Sequence, residues 1–310
     1  MKKILVIGSF MTDLVVQSDR FTQEGETIFG TSFNQFTGGK GANQAVAAAK
    51  LGGNVEIIGE LGKDSFGEDQ IASMEENNIK HEHVLFTDKA RSGIGNPQLD
   101  KAGHNRIVVI PGANMELKPS DLEDLKDVIQ ESDIIVLQLE VPMETVYKAI
   151  ELGAQYKKLV ILNPAPAKEI DEKYASMVDI IAPNEHEAAL LTGIATDTEQ
   201  GIIDAANSLL DQGYKNVLMT LGENGCYFKN SETDYKISGF KVDPVDTTAA
   251  GDSFIGSFAY VLANDHSIEE ALRYATASSA IAVTRMGAQP SLPSKLEVDQ
   301  FLEARASVVI

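Results

Sequence analysis

The segment Val245-Asp246-Thr247-Thr248-Ala249-Ala250-Gly251-Asp252 places small residues and a glycine directly before an apolar helical run at 254–262. The unpaired N–H groups of a first helical turn converge on one point, and the helix dipole favours anions there. Ala249-Ala250-Gly251 lets a phosphate approach the backbone closely. A carboxylate at the edge of such a cradle repels phosphate, so the chemistry open to Asp252 is to take a proton from an attacking hydroxyl. Taken alone, Asp252 is equally explained as a residue that favours a helix start. A second segment, Gly38-Gly39-Lys40-Gly41-Ala42-Asn43, opens another helical run at 44–51. It offers an ammonium and an amide, donors suited to a hydroxyl-rich ligand.

These groups need a frame to bring them together. Apolar runs at 4–7, 55–58, 134–137, 159–162, 180–182 and 217–219 read as buried strands, and helical patterns such as 66–77 and 145–152 separate most of them. The alternation predicts an α/β fold with a central, mainly parallel sheet flanked by helices. Ligands of such sheets bind beyond the carboxyl ends of the strands, where Asn163, Asn184 and Thr220 fall. Two pairs break the alternation, 13–17 with 27–36 and 91–99 with 105–110, each β-rich and without an intervening helix. They predict a small second β-sheet. The neighbours of Cys226 suggest one more strand, and residues 1–310 are expected to form one domain.

With 310 residues, 43% of them hydrophobic, the chain can bury one large core. Its 46 acidic and 26 basic residues give a formal charge of −20, a field that opposes nucleic acids and anionic membranes. ATP remains compatible, because Mg²⁺ and helix N-termini supply local positive potential. Lys2-Lys3 ahead of an apolar run resembles a secretory leader, but Gly8 and Asp13 cut the run short. Cys226 is the single cysteine, which fits a cytoplasmic location. No Gly-x-Gly-x-x-Gly follows the first strand, which argues against a dinucleotide enzyme.

Leu139-Glu140, Asn163-Pro164-Ala165-Pro166-Ala167, Pro183-Asn184-Glu185-His186-Glu187 and Thr220-Leu221-Gly222 lie in order between the two glycine-rich segments. Over nearly its whole length the chain thereby resembles the ribokinases, within the sugar and nucleoside kinases. The resemblance implies a ribokinase-like fold and transfer of the γ-phosphoryl of ATP to the 5-hydroxyl of D-ribose. Asp252 is then the base, and the amides of Ala249, Ala250 and Gly251 stabilise the transferred group. The implied sugar site comprises Met11, Asp13, Gly38, Gly39, Lys40, Asn43 and Glu140 beside Asp252. The implied nucleotide site comprises Asn184, Thr220, Gly222, Gly225 and Gly251.

Asn184 and Glu187, three apart at a helix start, share a face and suit water-mediated Mg²⁺, although Asn184 is also explained as a helix cap. The resemblance further implies a K⁺ site of the Asp246 and Ser291 side chains with the carbonyls of Thr248, Ala282, Arg285 and Gly287. It also implies that the lid, about 13–36 and 91–110, closes over the sugar and joins two chains as a homodimer.

Four residues, at three places, depart from the ribokinase pattern. Met11 stands where an asparagine precedes the aspartate equivalent to Asp13, and Ile255 stands where asparagine is common. An adaptable apolar thioether in place of a double-ended hydrogen-bonding group resembles a deoxyribokinase pocket for 2-deoxyribose. An unpaired 2-hydroxyl would cost about 1–3 kcal/mol, or roughly 5- to 150-fold against ribose. Met11 packing under the lid is the other explanation. Asn96-Pro97 replaces two apolar strand residues, and because proline removes a ladder donor the lid strand is expected to be shortened or bulged. A kinase of phosphorylated sugars would need basic residues beyond Lys40, and a sugar-responsive regulator without turnover would not need Asp252, Asn184 and Glu187 together.

Overall fold

In the computed structural model residues 1–306 are described, so the last four residues of the expected 1–310 domain lie outside the described residues. In chain order the strands are β1 (Lys3–Ile7), β2 (Met11–Ser18), β3 (Gly30–Gly38), β4 (Asn54–Ile58), β5 (Glu60–Gly62), β6 (Leu85–Thr87) and β7 (Gly93–Leu99), then β8 (Asn105–Ile110), β9 (Ile134–Leu137), β10 (Leu159–Leu162), β11 (Ile180–Ile181), β12 (Asn216–Thr220), β13 (Cys226–Asn230) and β14 (Asp234–Ile237). Eight of them form one sheet in the order β14-β13-β12-β11-β10-β9-β1-β4, parallel from β12 to β4 and antiparallel at the β13–β14 edge. The apolar runs are continuous because both faces of this sheet are covered. Ile4 and Val6 of β1 face helices Lys40–Lys50, Ala250–Ala263 and Ile268–Ala282, whereas Leu5 and Ile7 face helices Met143–Gln155 and Glu199–Asp211. The short β5–β6 pair forms a separate sheet that the sequence pattern does not announce.

Two helices begin earlier than their apolar periodicity suggests: at Lys40 rather than residue 44, and at Ala250 rather than residue 254. Their first turns consist mainly of glycine, alanine and polar residues, which carry no apolar period but do present N–H groups. The two helices cross in backbone contact at Gly256, where a Cβ would stand 2.4 Å from the carbonyl oxygen of Gln44. That close approach brings Asp252, one turn earlier, beside Asn43 and Gln44.

The second sheet has the order β3-β2-β7-β8. It corresponds to the expected β-rich pairs, with β3 shifted to Gly30–Gly38. The expected shortening at Asn96-Pro97 is not seen, since β7 runs from Gly93 to Leu99 with Asn96 opposite Val108 and Pro97 opposite Ile107. The β2–β7 register keeps one offset on both sides of this point, so Pro97 stands opposite Val15 and a ladder N–H there would reach the Leu14 carbonyl. The side chain of Asn96 supplies the missing donor, its Nδ2 bonding to Leu14 O at 2.8 Å. The register irregularity of the lid lies instead at Gln17/Ser18, between β2 and β3. No described helix is long and apolar enough to cross a membrane.

Candidate active site

The carboxyl ends of β10, β11 and β12 open into a cleft that also receives the N-termini of helices Lys40–Lys50, Glu185–Thr192 and Ala250–Ala263. Lys40, Asn163, Asn184, Glu187, Thr220 and Asp252 line it, together with Ala249, Ala250, Gly251 and Ile255. Asp252 sits in the first turn of its helix and is 6% exposed. Asn43 Nδ2 donates to its Oδ2 at 2.9 Å and Gln44 Nε2 to its Oδ1 at 3.0 Å. Each oxygen keeps a further lone pair, and the residue lines the cleft, so the carboxylate is oriented without being consumed.

The cradle beside it differs in one respect from the expected trio. Among the described residues the N–H groups of Ala249, Gly251 and Asp252 have no backbone acceptor, but that of Ala250 is bonded to Thr247 O at 3.2 Å. Ala250 closes the turn that shapes the cradle, and the open donors are those of its neighbours. Ala249 holds this turn with φ 59°, a left-handed conformation that costs a residue with a Cβ about 1–2 kcal/mol.

Glu140 is fixed by Ser9, whose Oγ donates to Oε2 at 2.5 Å, and by the backbone N–H of Lys40, which donates to the same oxygen at 3.0 Å. The turn that presents this N–H depends on Gly39, at φ 95°. Asp13 is different: no hydrogen bond to its carboxylate is recorded among the described residues. Its oxygens sit between β3 and β7, where Cβ atoms on Gly38 and Gly95 would lie 2.9 Å and 2.3 Å away. Burial, then Glu140, Asp252 and Asp246, push its pKa up to about 6. Burial opposes the charge on Lys40, yet Asp252, Glu140 and Glu187 together hold its pKa above the usual lysine value. Lys40 is thus the cation on which these carboxylates converge.

Asn184 and Glu187 form a reciprocal cap, Glu187 N donating to Asn184 Oδ1 and Asn184 N to Glu187 Oε2, each at 2.8 Å. Burial raises the pKa of Glu187 against the opposing effects of the Asn184 N–H and Lys40. One oxygen of the pair is not engaged in the cap, so the donor set fits water-mediated Mg²⁺. Thr220 stands beside Asn184 in an isolated parallel bridge at the sheet edge. Gly222 and Gly225 do not line the cleft. They shape the turn after β12, and a Cβ on Gly225 would lie 2.0 Å from Ile237 O.

Of the six residues of the implied K⁺ site, Asp246 and Thr248 lead directly into the cradle and Gly287 is hydrogen-bonded to Asp246. Asp246 accepts from Thr248 N and Oγ1 on one oxygen and from Gly287 N on the other, while Ser291 Oγ donates to Ala288 O. Among the described residues the carbonyls of Thr248, Arg285 and Gly287 take no part in turn or loop hydrogen bonds, whereas that of Ala282 accepts from Arg285 N. A set of hard oxygens is what K⁺ requires. Met11 does not line the cleft. Asn114 Nδ2 lies 3.8 Å from its sulfur, and a Cβ on Gly93 would lie 2.7 Å from the same atom.

The motifs leave out the polar relay behind Asp252. Gln44 Nε2 donates both to Asp252 and to Asn163 Oδ1, and Gln138 Nε2 fixes the Gln44 amide by donating to its Oε1 at 2.6 Å. The available signals were a glutamine inside an alanine-rich buried helix and another directly after the apolar run of β9.

A family model described as pfkB family carbohydrate kinase matches residues 1–295. Among curated proteins the chain is similar to a deoxyribokinase of Salmonella typhi, 40% identical over 96% of this chain and 98% of that protein. It is similar to a ribokinase of Haemophilus influenzae, 38% identical over 97% of this chain and 99% of that protein. Among solved structures it superposes on Thermotoga maritima ribokinase with a TM-score of 0.89 and 38% identity, covering 98% of this chain and 100% of the other. With Arabidopsis thaliana ribokinase complexed with ribose and ATP the TM-score is 0.92 at 31% identity, over 97% and 99% of the two chains. The Asp252 carboxylate beside the open N–H groups of Ala249 and Gly251 is thus found on a scaffold shared with sugar kinases along nearly its whole length, and the chain belongs to the pfkB family of carbohydrate kinases.

Proposed function

We propose that this chain phosphorylates a pentose, D-ribose, at its 5-hydroxyl with ATP. The observation that carries the reading is the Asp252 carboxylate, aimed by Asn43 and Gln44 and adjoining the open N–H groups of Ala249 and Gly251. Asp252 takes the hydroxyl proton as the oxygen attacks, and the N–H groups meet the charge that develops on the transferred phosphoryl. Asp13, Glu140, Lys40 and Asn43 orient the sugar, with Gly38 and Gly39 giving its approach to the backbone. Asn184, Thr220 and Glu187 border the nucleotide. Asn184 and Glu187 would hold Mg²⁺ through water, which would supply charge neutralisation at the phosphates. The oxygens of Asp246, Thr248, Ala282, Arg285, Gly287 and Ser291 would hold K⁺, which would stiffen the cradle loop.

One ribokinase-like domain with a lid of discontinuous segments accounts for the eight-stranded and four-stranded sheets, and closing that lid excludes water that would otherwise hydrolyse ATP. Ile107, Val108, Val109 and Ile110 are all more than half exposed on edge strand β8, a surface that a second copy of the chain would cover. The buried unpaired Cys226 thiol is consistent with a cytoplasmic location.

A second reading, 2-deoxy-D-ribose as the substrate, is supported by Ile255, whose apolar side chain lines the cleft, and by Met11, an apolar residue two positions before Asp13 whose sulfur packs against Asn114 outside the cleft lining. Comparing kcat/KM for the two sugars with Mg·ATP and K⁺ tests both. A preference for 2-deoxyribose that Met11→Asn reverses assigns the deoxy sugar. A preference for ribose that Met11→Asn leaves in place makes Met11 a packing residue. Turnover of neither sugar refutes the pentose reading.

A further inference from the structure

The end of lid strand β3 rests on the loop that follows helix Ile268–Ala282. The ring of Phe36 lies against Gly287, where a Cβ would stand 3.3 Å from it, and Gly38 faces the methyl of Ala288. Between them Thr37 Oγ1 donates to Gln289 Oε1 at 2.6 Å. The same loop is tied to the phosphoryl cradle, since Gly287 N donates to Asp246 Oδ2 at 2.9 Å and the other oxygen of Asp246 holds Thr248, next to Ala249. Gln289 is anchored from the body of the protein as well: Ser73 Oγ donates to its Oε1 at 2.6 Å and Lys50 Nζ to its backbone carbonyl at 2.9 Å.

Gln289 is 4% exposed, and its Nε2 finds no acceptor among the described residues. A hydrophobic side chain here would leave the Thr37 and Ser73 hydroxyls without their shared acceptor, so the amide serves as that acceptor while its own Nε2 stays unpaired. Two other polar atoms of the same layer are also unpaired: Oγ1 of Thr12, which stands opposite Thr37 in the β2–β3 register, and Oε1 of Gln70, whose Nε2 bonds to Met11 O. A donor and acceptors left unpaired together can find partners when β3 shifts, so the layer supports more than one position of the lid base.

We infer that Gln289 is a positioning residue that links the sugar-facing base of the lid to the loop behind the phosphoryl cradle, so that a sugar seated on the lid sets the cradle for nucleotide. The inference rests on the pentose kinase reading. It predicts that sugar and nucleotide binding are thermodynamically coupled and that the coupling passes through the Thr37–Gln289 bond.

Calorimetric titration of the full chain with Mg²⁺ and a non-hydrolysable ATP analogue, with and without saturating ribose or 2-deoxyribose, reads the coupling without turnover. The wild-type protein is expected to bind the analogue roughly 5- to 150-fold more tightly with sugar present. In Gln289→Met, which keeps the volume, and in Thr37→Val, that ratio is expected to fall to within about twofold of unity. Ser73→Ala, which cuts only the anchor in the body, is expected to retain it. An unchanged ratio in Thr37→Val and Gln289→Met overturns the inference, as does a wild-type ratio near one. If Gln289→Met does not fold, Thr37→Val decides alone. Binding of neither pentose overturns the pentose reading and this inference with it, whereas binding without coupling overturns this inference only.

Discussion

Replacing Asp13 with asparagine is expected to stabilise the ligand-free protein at neutral pH while crippling its hold on the sugar. The carboxylate is wedged between Gly38 and Gly95, and no hydrogen bond to it is recorded among the described residues. Burial and three neighbouring carboxylates place its pKa at about 6, against an ordinary 3.8. At 1.36 kcal/mol per pH unit, that gap amounts to about 3 kcal/mol. Because the native pKa lies above the unfolded one, the native state holds the proton more tightly between about pH 4 and pH 6, and stability falls as pH rises through that window. The cost is therefore nearly complete at pH 7.5 and shrinks to roughly 0.5 kcal/mol at pH 4. Urea denaturation of the two ligand-free proteins should show Asp13→Asn more stable by about 2–3 kcal/mol at pH 7.5, with the difference closing toward pH 4. Loss of a charged acceptor for sugar hydroxyls should weaken pentose binding by roughly 10- to 150-fold in calorimetry. A variant no more stable than wild type at pH 7.5, or a difference that does not close at low pH, refutes the reasoning.

Three further outcomes follow from the same geometry. Gln44→Leu removes the donor shared by Asp252 and Asn163, and kcat is expected to fall about 10-fold or more while the Kd of Mg·ATP stays within about threefold, read by steady-state kinetics and calorimetry. Ala249→Gly relieves a left-handed backbone at φ 59°, and after the extra chain entropy of glycine it should raise stability by about 0.5–1 kcal/mol, seen as a melting temperature higher by about 1 °C. Val108→Glu together with Ile110→Glu puts two charges on the exposed edge of the lid and should yield a monomer in analytical ultracentrifugation, whereas an unchanged dimer would place the contact elsewhere.

The parallel strands were legible because burial on both faces leaves continuous apolar runs, as in Ile134–Leu137 and Leu159–Leu162. The β5–β6 pair was not, since three-residue strands such as Glu60–Gly62 carry no usable period. Edge strand β14, with a lysine and an aspartate among its four residues, likewise has little apolar content to read. The glycine-rich segments indicated where the two functional helices begin chemically, while apolar period alone placed their starts four residues late. The Asn96-Pro97 expectation failed because proline removes a backbone donor but does not forbid a neighbour's side chain from replacing it. Asp252, Lys40, Asn184 and Glu187 came together in one cleft as their motifs suggested, because each motif lies at a helix start beside the sheet edge. Gln44, Gln138 and Gln289 were missed for a different reason. Each matters through a partner from a distant part of the chain, and nothing local in sequence distinguishes them from ordinary polar residues.

The central claim is that Asp252 takes the proton of a pentose hydroxyl as the phosphoryl group is transferred. Asp252→Asn keeps the shape of the site and removes the base. With Mg·ATP, K⁺ and the preferred pentose, kcat is expected to fall by about 10²- to 10⁴-fold while calorimetry finds pentose affinity within about threefold of wild type. Turnover at the wild-type rate in this variant would contradict the account.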